Sequence, residues 1–230
     1  MCGRFSQSFT AASIANAFGV NTNDFPPPRY NVSPSQPVMA VFQLPNSLQR
    51  QLHLFQWGLL PAWVKDPTKF SKPINARSET VAEKPSFRAA LRYHRCLIPA
   101  NGFYEWQRVN GGKAKKQPYF FSLQDGHPLA FAGLFEQWES PLGEFIETCT
   151  ILTTSANDLV APIHDRMPVI LAPEDYSSWL DAGVSRTDRL LALLKPYPAA
   201  AMQLYPVSTL VNSPDRDMVE CQQQIALEPK

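Results

Sequence analysis

Seven strand-like runs, apolar throughout or alternating apolar with polar, are spread along the chain: "PVMAVFQL", "QLHLFQWGL", "RCLIPA", "FYEWQRV", "PYFFSLQ", "LAFAGLFEQW" and "FIETCTILTT". Runs of this length, bounded by breakers, predict strands. Clusters of turn-forming residues separate several of them ("PNS", "VNGGK", "QDGHP", "SPLGE"), so antiparallel hairpins are expected. Helical patterns interleave. "TAASIANAFG" reads as a short helix with Thr10 as N-cap and Gly19 as stop. A second helix is expected over "SETVAEK", continuing near "SFRAALRY". "PEDYSSWLDAG" starts with Pro173 in its first turn, and "SRTDRLLALLK" is capped by Ser185 and ends before Pro196. "FPPPRYNVSPSQP" can be neither helix nor central strand. Tyr30 and Val32 make it an ordered, extended surface segment. With no repeat and no internal boundary, the pattern predicts one domain over residues 1–230. Its class is α+β: a β-rich, antiparallel, barrel-like core with flanking helices.

Composition narrows the picture. Of 230 residues, 44% are hydrophobic and 18% charged, enough apolar material for a sizeable core. The net charge of +1 gives no overall pull on nucleic acid, so any such binding must come from a local patch. No signal peptide and no membrane-length apolar run is evident, which predicts a cytoplasmic protein, or a nuclear one in a eukaryote. The 4 cysteines form no CxxC and have no histidine at zinc-ligand spacing. Cys96 and Cys149 fall in apolar runs and read as buried small hydrophobes. No metal or other cofactor is expected.

Cys2 is the first candidate for chemistry. If Met1 is removed, Cys2 carries a free α-amine and a thiol on adjacent carbons. About a quarter of an α-amine is neutral at pH 7.4, against about a thousandth of a lysine, so the amine can form a Schiff base without a special pocket. The thiol can then close the imine to a thiazolidine, helped by high effective molarity. An aldehyde is the natural partner. Gly3 and Arg4 add backbone freedom and a positive charge that favours thiolate. The other reading of Cys2 is an idle, exposed terminal residue.

Three further stretches carry polar groups in suggestive settings. In "INARSET", Asn75 can orient a polar group and Arg77 can hold a phosphate, or both can belong to a solvated turn. In "PANGFYEWQR", alternation puts Phe103 and Glu105 on one strand face and Tyr104 and Trp106 on the other. Glu105 is then either exposed at a rim or partly buried, with a raised pKa suited to proton transfer. In "APIHDRMPVIL", His164 is a candidate proton-transfer group, or sits in a surface turn with an Asp165–Arg166 pair. Trp57, Trp63 and Phe70 interleaved with Lys65, Lys69 and Lys72 suit either stacked bases or a core with a solvated lysine face. The tip "GGKAKKQ" reads as solvated.

Taken together, "MCGRF", "RYNVSP", "WGLLPAW", "INARSET", "CLIPANGFYEW", "TTSAN", "IHDRMPVIL" and "YPVSTLVN" occur in this order from Met1 to about Asn212. The chain thereby resembles the SOS-response-associated peptidase family, also described as abasic-site-processing proteins. The resemblance implies binding of single-stranded DNA and capture of the ring-opened aldehyde of an abasic site as a thiazolidine on Cys2. It implies that Asn75 orients the amine, that Glu105 moves protons, and that His164 assists sugar ring opening or imine formation. It implies phosphate contacts at Arg4 and Arg77 with Thr153 nearby, and Trp63 and Lys84 are further DNA-binding candidates. A monomer is expected, with abasic single-stranded DNA as its partner and possible self-removal of Met1. Two other classes stay open: an N-terminal-nucleophile cysteine amidohydrolase or peptidase, and a noncatalytic single-stranded-DNA-binding module.

Overall fold

All seven strand-like runs form strands, and five of them close on one another. The structure is a computed structural model, and it describes residues 2–23, 25–44, 47, 49–108, 116–184 and 186–227. The chain begins with β1 (Phe5–Gln7), α1 (Ala11–Phe18), β2 (Arg29–Val32), β3 (Pro37–Gln43) and β4 (Arg50–Trp57). β5 (Asn75–Arg77), α2 (Arg88–Tyr93), β6 (Arg95–Ala100), β7 (Gly102–Arg108) and β8 (Lys116–Leu123) follow. The rest is β9 (Leu129–Glu139), β10 (Phe145–Ser155), β11 (Arg166–Pro168), α3 (Tyr176–Leu180), α4 (Thr187–Ala192) and β12 (Met202–Pro206).

Hydrogen-bonded neighbours run β10-β4-β3-β6-β9, and β9 pairs β10 again, so the ring is closed. The fold is therefore mixed α+β, strand-dominated, with a five-strand barrel, as expected. Two pairings depart from the antiparallel expectation: β10 lies parallel to β4 and to β5. A second sheet runs β12-β8-β7-β1-β2. Its edge strand β2 is the core of the proline-rich segment, the place where missing backbone donors cost least.

Strand alternation divides the core. Val38, Ala40, Cys96, Ile98, Phe131, Cys149 and Ile151 cluster with Phe5, Phe103 and Phe121 of the second sheet. The alternate positions Met39, Val41, Leu97, Ala132, Leu134 and Leu152 cluster with Ile14, Phe18, Leu91, Trp179 and Leu190 of the helices. A five-strand ring has no room for helices, so the helix-bearing face is the outside and the first cluster fills the inside. Helix α1 forms as its sequence predicts. Thr10 Oγ1 accepts the Ser13 N–H at 3.2 Å, Gly19 ends the helix at φ 65°, and Ile14 and Phe18 are buried.

The helix expected over "SETVAEK" is absent. Residues 78–87 form consecutive turns, and only Arg88–Tyr93 is regular. Pro85 supplies no N–H and disfavours helical backbone at Lys84. The cap expected at Ser185 and the turn "VNGGK" lie outside the described residues, as do most of "PNS" and of the tip "GGKAKKQ". Among the described residues no helix is long and apolar enough to cross a membrane.

Candidate active site at the chain start

Cys2 is completely buried. Chain termini usually fray, so this burial needs an anchor, and Phe5 supplies it. Its ring is also fully buried, edge-on to Trp57 at 5.0 Å and to Phe131 at 5.8 Å. Burying a phenylalanine is worth about 1.5–3 kcal/mol. Strand β1 lies antiparallel to β7 with Phe5 opposite Phe103, and the Tyr104 N–H donates to the Arg4 carbonyl at 2.9 Å. Continuing that register carries the chain start alongside Glu105.

Asn75 ties the other side. Its Nδ2 donates to the Cys2 carbonyl at 2.8 Å. It can do so because β5 is a strand and no turn: Asn75, Ala76 and Arg77 pair in parallel with Ile151, Leu152 and Thr153. Register neighbours share a face, so Asn75 and Arg77 stand beside Ile151 and Thr153 where β10 leaves the ring. On the far side of β10, β11 pairs Arg166 with Ser155 and Pro168 with Thr153. Arg166 grips both flanks. Its guanidinium donates to both Glu79 carboxylate oxygens, one at 2.9 Å, and to the Thr153 carbonyl at 2.7 Å. The partner of Arg166 is thus Glu79 and not Asp165.

Glu105 is buried and shares the face of Phe103, as alternation predicted, while Tyr104 and Trp106 pack in a separate cluster. Burial pushes its carboxyl up to about 7, and the Asp165 charge adds to the rise. Burial, then the charge of Glu105, pushes the Cys2 thiol far above its usual range. The expectation that Arg4 favours a thiolate is therefore corrected. Desolvation dominates, and the Arg4 guanidinium points elsewhere, to Asn31 Oδ1 at 2.7 Å and the Val211 carbonyl at 2.6 Å. His164 ends a helical turn that Asn157 caps by accepting the Leu159 and Val160 N–H groups. Its Nδ1 lies 3.0 Å from the Arg166 backbone nitrogen and 2.9 Å from Asp165 Oδ1. Burial lowers its pKa, favouring the neutral ring.

Cys2, Asn75 and Glu105 therefore converge, and Asp165, whose charge reaches Glu105, brings the His164 turn to the same place. Arg77 is exposed beside this group, and Thr153 is buried in the ladder next to it. Trp63 is 58% exposed, edge-on to Phe70 at 5.8 Å. Lys84 is exposed in the turns after β5. Among the described residues, neither shares a hydrogen bond, ion pair or ring contact with Cys2 or Asn75. Sequence reasoning missed Glu79 and Asn31. Their only signal was position, one inside "INARSET" and one inside "RYNVSP".

The family model for SOS response associated peptidase (SRAP) matches residues 1–214. The chain belongs to the SOS response associated peptidase family. Among its relatives is abasic site processing protein YoqW of Bacillus subtilis (strain 168). It is 44% identical over 225 residues, which are 96% of this chain and 98% of that protein. Abasic site processing protein HMCES of Gallus gallus is 39% identical over 224 residues, covering 84% of this chain and 65% of the chicken protein. A crystal structure of a Bacteroides thetaiotaomicron protein superposes with a TM-score of 0.85 at 29% identity, over 98% of this chain and 100% of that one. The SRAP match thus spans the barrel, the second sheet and every residue of the candidate site.

Proposed function

We propose that this SRAP protein captures abasic sites in single-stranded DNA by forming a thiazolidine on Cys2 after Met1 is removed. The observation that carries the reading is a fully buried residue 2 whose carbonyl is held by Asn75, next to a carboxyl pushed up to about 7. The names of the relatives supply the substrate class.

Hydrolysis of the Met1–Cys2 peptide bond frees the Cys2 amine. The amine attacks the aldehyde carbon of the ring-opened deoxyribose. Water leaves, and the carbon–nitrogen double bond of the imine forms. The Cys2 sulfur then bonds to the carbon of the protonated imine, the double bond becomes single, the nitrogen keeps its proton, and the thiol proton passes to Glu105. Capture by the mature chain releases one water. Glu105, titrating near neutrality, donates a proton to the departing hydroxyl and accepts one from the thiol. Asn75 fixes the residue bearing both nucleophiles, so closure is intramolecular. His164 exchanges a proton with the sugar oxygen as the ring opens. Arg77 suits a phosphate, since it is exposed and has no carboxylate partner among the described residues. Exposed Trp63 and Lys84 complete the proposed DNA face, whereas Thr153 is buried and Arg4 is engaged by Asn31 and Val211.

The test mixes mature protein with a single-stranded oligonucleotide bearing one abasic site and resolves the products on a denaturing gel. A heat-stable shifted band is expected, with the mass of protein plus DNA less one water, and it is absent in Cys2→Ala. Turnover of a small amide without such a band would favour the amidohydrolase reading that the word peptidase in the family name suggests. Salt-sensitive binding that survives Cys2→Ala with no adduct would favour a noncatalytic binder.

A further inference from the structure

A cavity of about 1010 Å³ opens at the end of the barrel remote from Cys2, where β3 ends and β4 and β6 begin. It is lined by Glu147, whereas the Cys2 group adjoins Ile151–Thr153 on the same strand. Four to six residues of β10 separate the two, about 13–20 Å at a strand rise of about 3.3 Å.

Two features of this cavity call for a ligand. Its wall is aromatic. Phe42 and Phe135 meet edge-on at 5.4 Å, His94 stacks on Phe135 at 5.2 Å, and Tyr93 stands at the rim, 54% exposed. Its polar side is acidic. Glu136 is only 7% exposed, and among the described residues no donor reaches its carboxylate within hydrogen-bonding distance. His94 Nδ1 pairs with it loosely, at 3.6 Å. Glu147, which pairs with His53, and Asp181, whose Oδ1 accepts the Gly183 N–H, line the same space, and the one lining arginine, Arg50, already donates to the Phe18 carbonyl at 3.0 Å and Ser177 Oγ at 2.9 Å. Carboxylates facing aromatic rings across an apolar space are how proteins recognise organic cations.

We propose that this cavity is a second binding site, for a small organic cation, an amine or amidine on an aromatic or alkyl body. The cationic head meets Glu136, and the body lies against Phe42, Phe135 and Tyr93. Nothing in this site depends on Cys2, so it stands or falls apart from the capture reaction.

Benzamidine is the probe, titrated calorimetrically into the full chain, with uncharged benzamide and anionic benzoate as controls. Saturable binding of benzamidine is expected, at least tenfold tighter than benzamide, with no binding of benzoate and no change in Cys2→Ala. Amide resonances of Phe42, Tyr93 and Phe135 shift. Glu136→Gln weakens benzamidine at least tenfold and erases its advantage over benzamide. Should that variant fail to fold, Tyr93→Ala, a change at the exposed rim, is expected to weaken benzamidine several-fold. Absence of benzamidine binding, equal affinity for amidine and amide, shifts centred on Cys2 and Asn75, or unaltered affinity in the folded variant would each overturn the proposal.

Discussion

At residue 2, burial keeps the thiol protonated at neutral pH, and a protonated thiol is a poor nucleophile. A base must therefore take its proton as the ring closes, and the carboxyl whose charge it senses is Glu105. Two outcomes follow for the proposed capture. Cys2→Ser keeps the terminal amine and loses the thiol. It should form an imine that survives a denaturing gel only after borohydride reduction, whereas the wild-type band needs none. Glu105→Gln should slow capture by about 10²–10⁴-fold, the usual worth of a positioned acid–base group. It should also remove an inflection near pH 7 from the rate profile. The same carboxyl has a cost in stability that can be read separately. It titrates at about 7 in the fold against its ordinary 4.5, because burial opposes its charge. Its contribution is complete below pH 4.5 and is lost as pH rises through 7, to about 3 kcal/mol. Urea unfolding should therefore find Glu105→Gln no more stable than wild type at pH 4 and more stable at pH 8.5.

Among the elements, the long strands were legible and the short ones were not. β9 and β10 span 11 residues each, long enough for alternation to declare itself. β5 and β11 have three residues each, too few for any period to show. They exist because β10 offers them its two flanks beyond the ring, and that offer is tertiary. Asn75, Glu105 and His164 could thus be named from their residue types and surroundings, but the contact of Asn75 with Cys2 could not, since it depends on β5 being a strand. Nor could Arg166 be assigned to Glu79, which lies 87 positions away. Arg166 holds β11 and the turn after β5 against β10 at once, so Arg166→Ala should loosen both flanks. A loss of about 1–3 kcal/mol is expected from a partly buried, charge-assisted group. A double-mutant cycle with Glu79→Ala should return a coupling of at least about 0.5 kcal/mol. Additive losses would mean the pair does not couple β5 to β11.

Across the whole molecule, the segment after the barrel returns to hold the segment before it. Asp217, three residues beyond the family match, accepts the Tyr30 N–H at 2.5 Å and the Asn31 N–H at 3.0 Å and pairs with Arg29. Asn31 Nδ2 in turn donates to the Ser213 carbonyl at 3.0 Å and the Arg216 carbonyl at 2.6 Å, and its Oδ1 receives Arg4. Edge strand β2 is thereby fixed to β1, and β1 is what carries Cys2 into the interior. Asp217→Ala would leave two backbone donors without their acceptor and Arg29 with Gln36 alone, at a cost of about 2 kcal/mol, since the site is partly open to water. Because β1 has only three residues, the loss should surface first as local opening at the chain start and only later as global unfolding. Hydrogen exchange of the Asp217→Ala variant should therefore speed up in β1 and β2 while β3, β6 and β9 of the ring stay protected. Thiol-reactive reagents should reach Cys2 faster than in the wild type, and Cys96 and Cys149 at unchanged rates. Uniform acceleration across the ring and the edge would mean that the strap stabilises the fold as a whole and does not hold the chain start in particular.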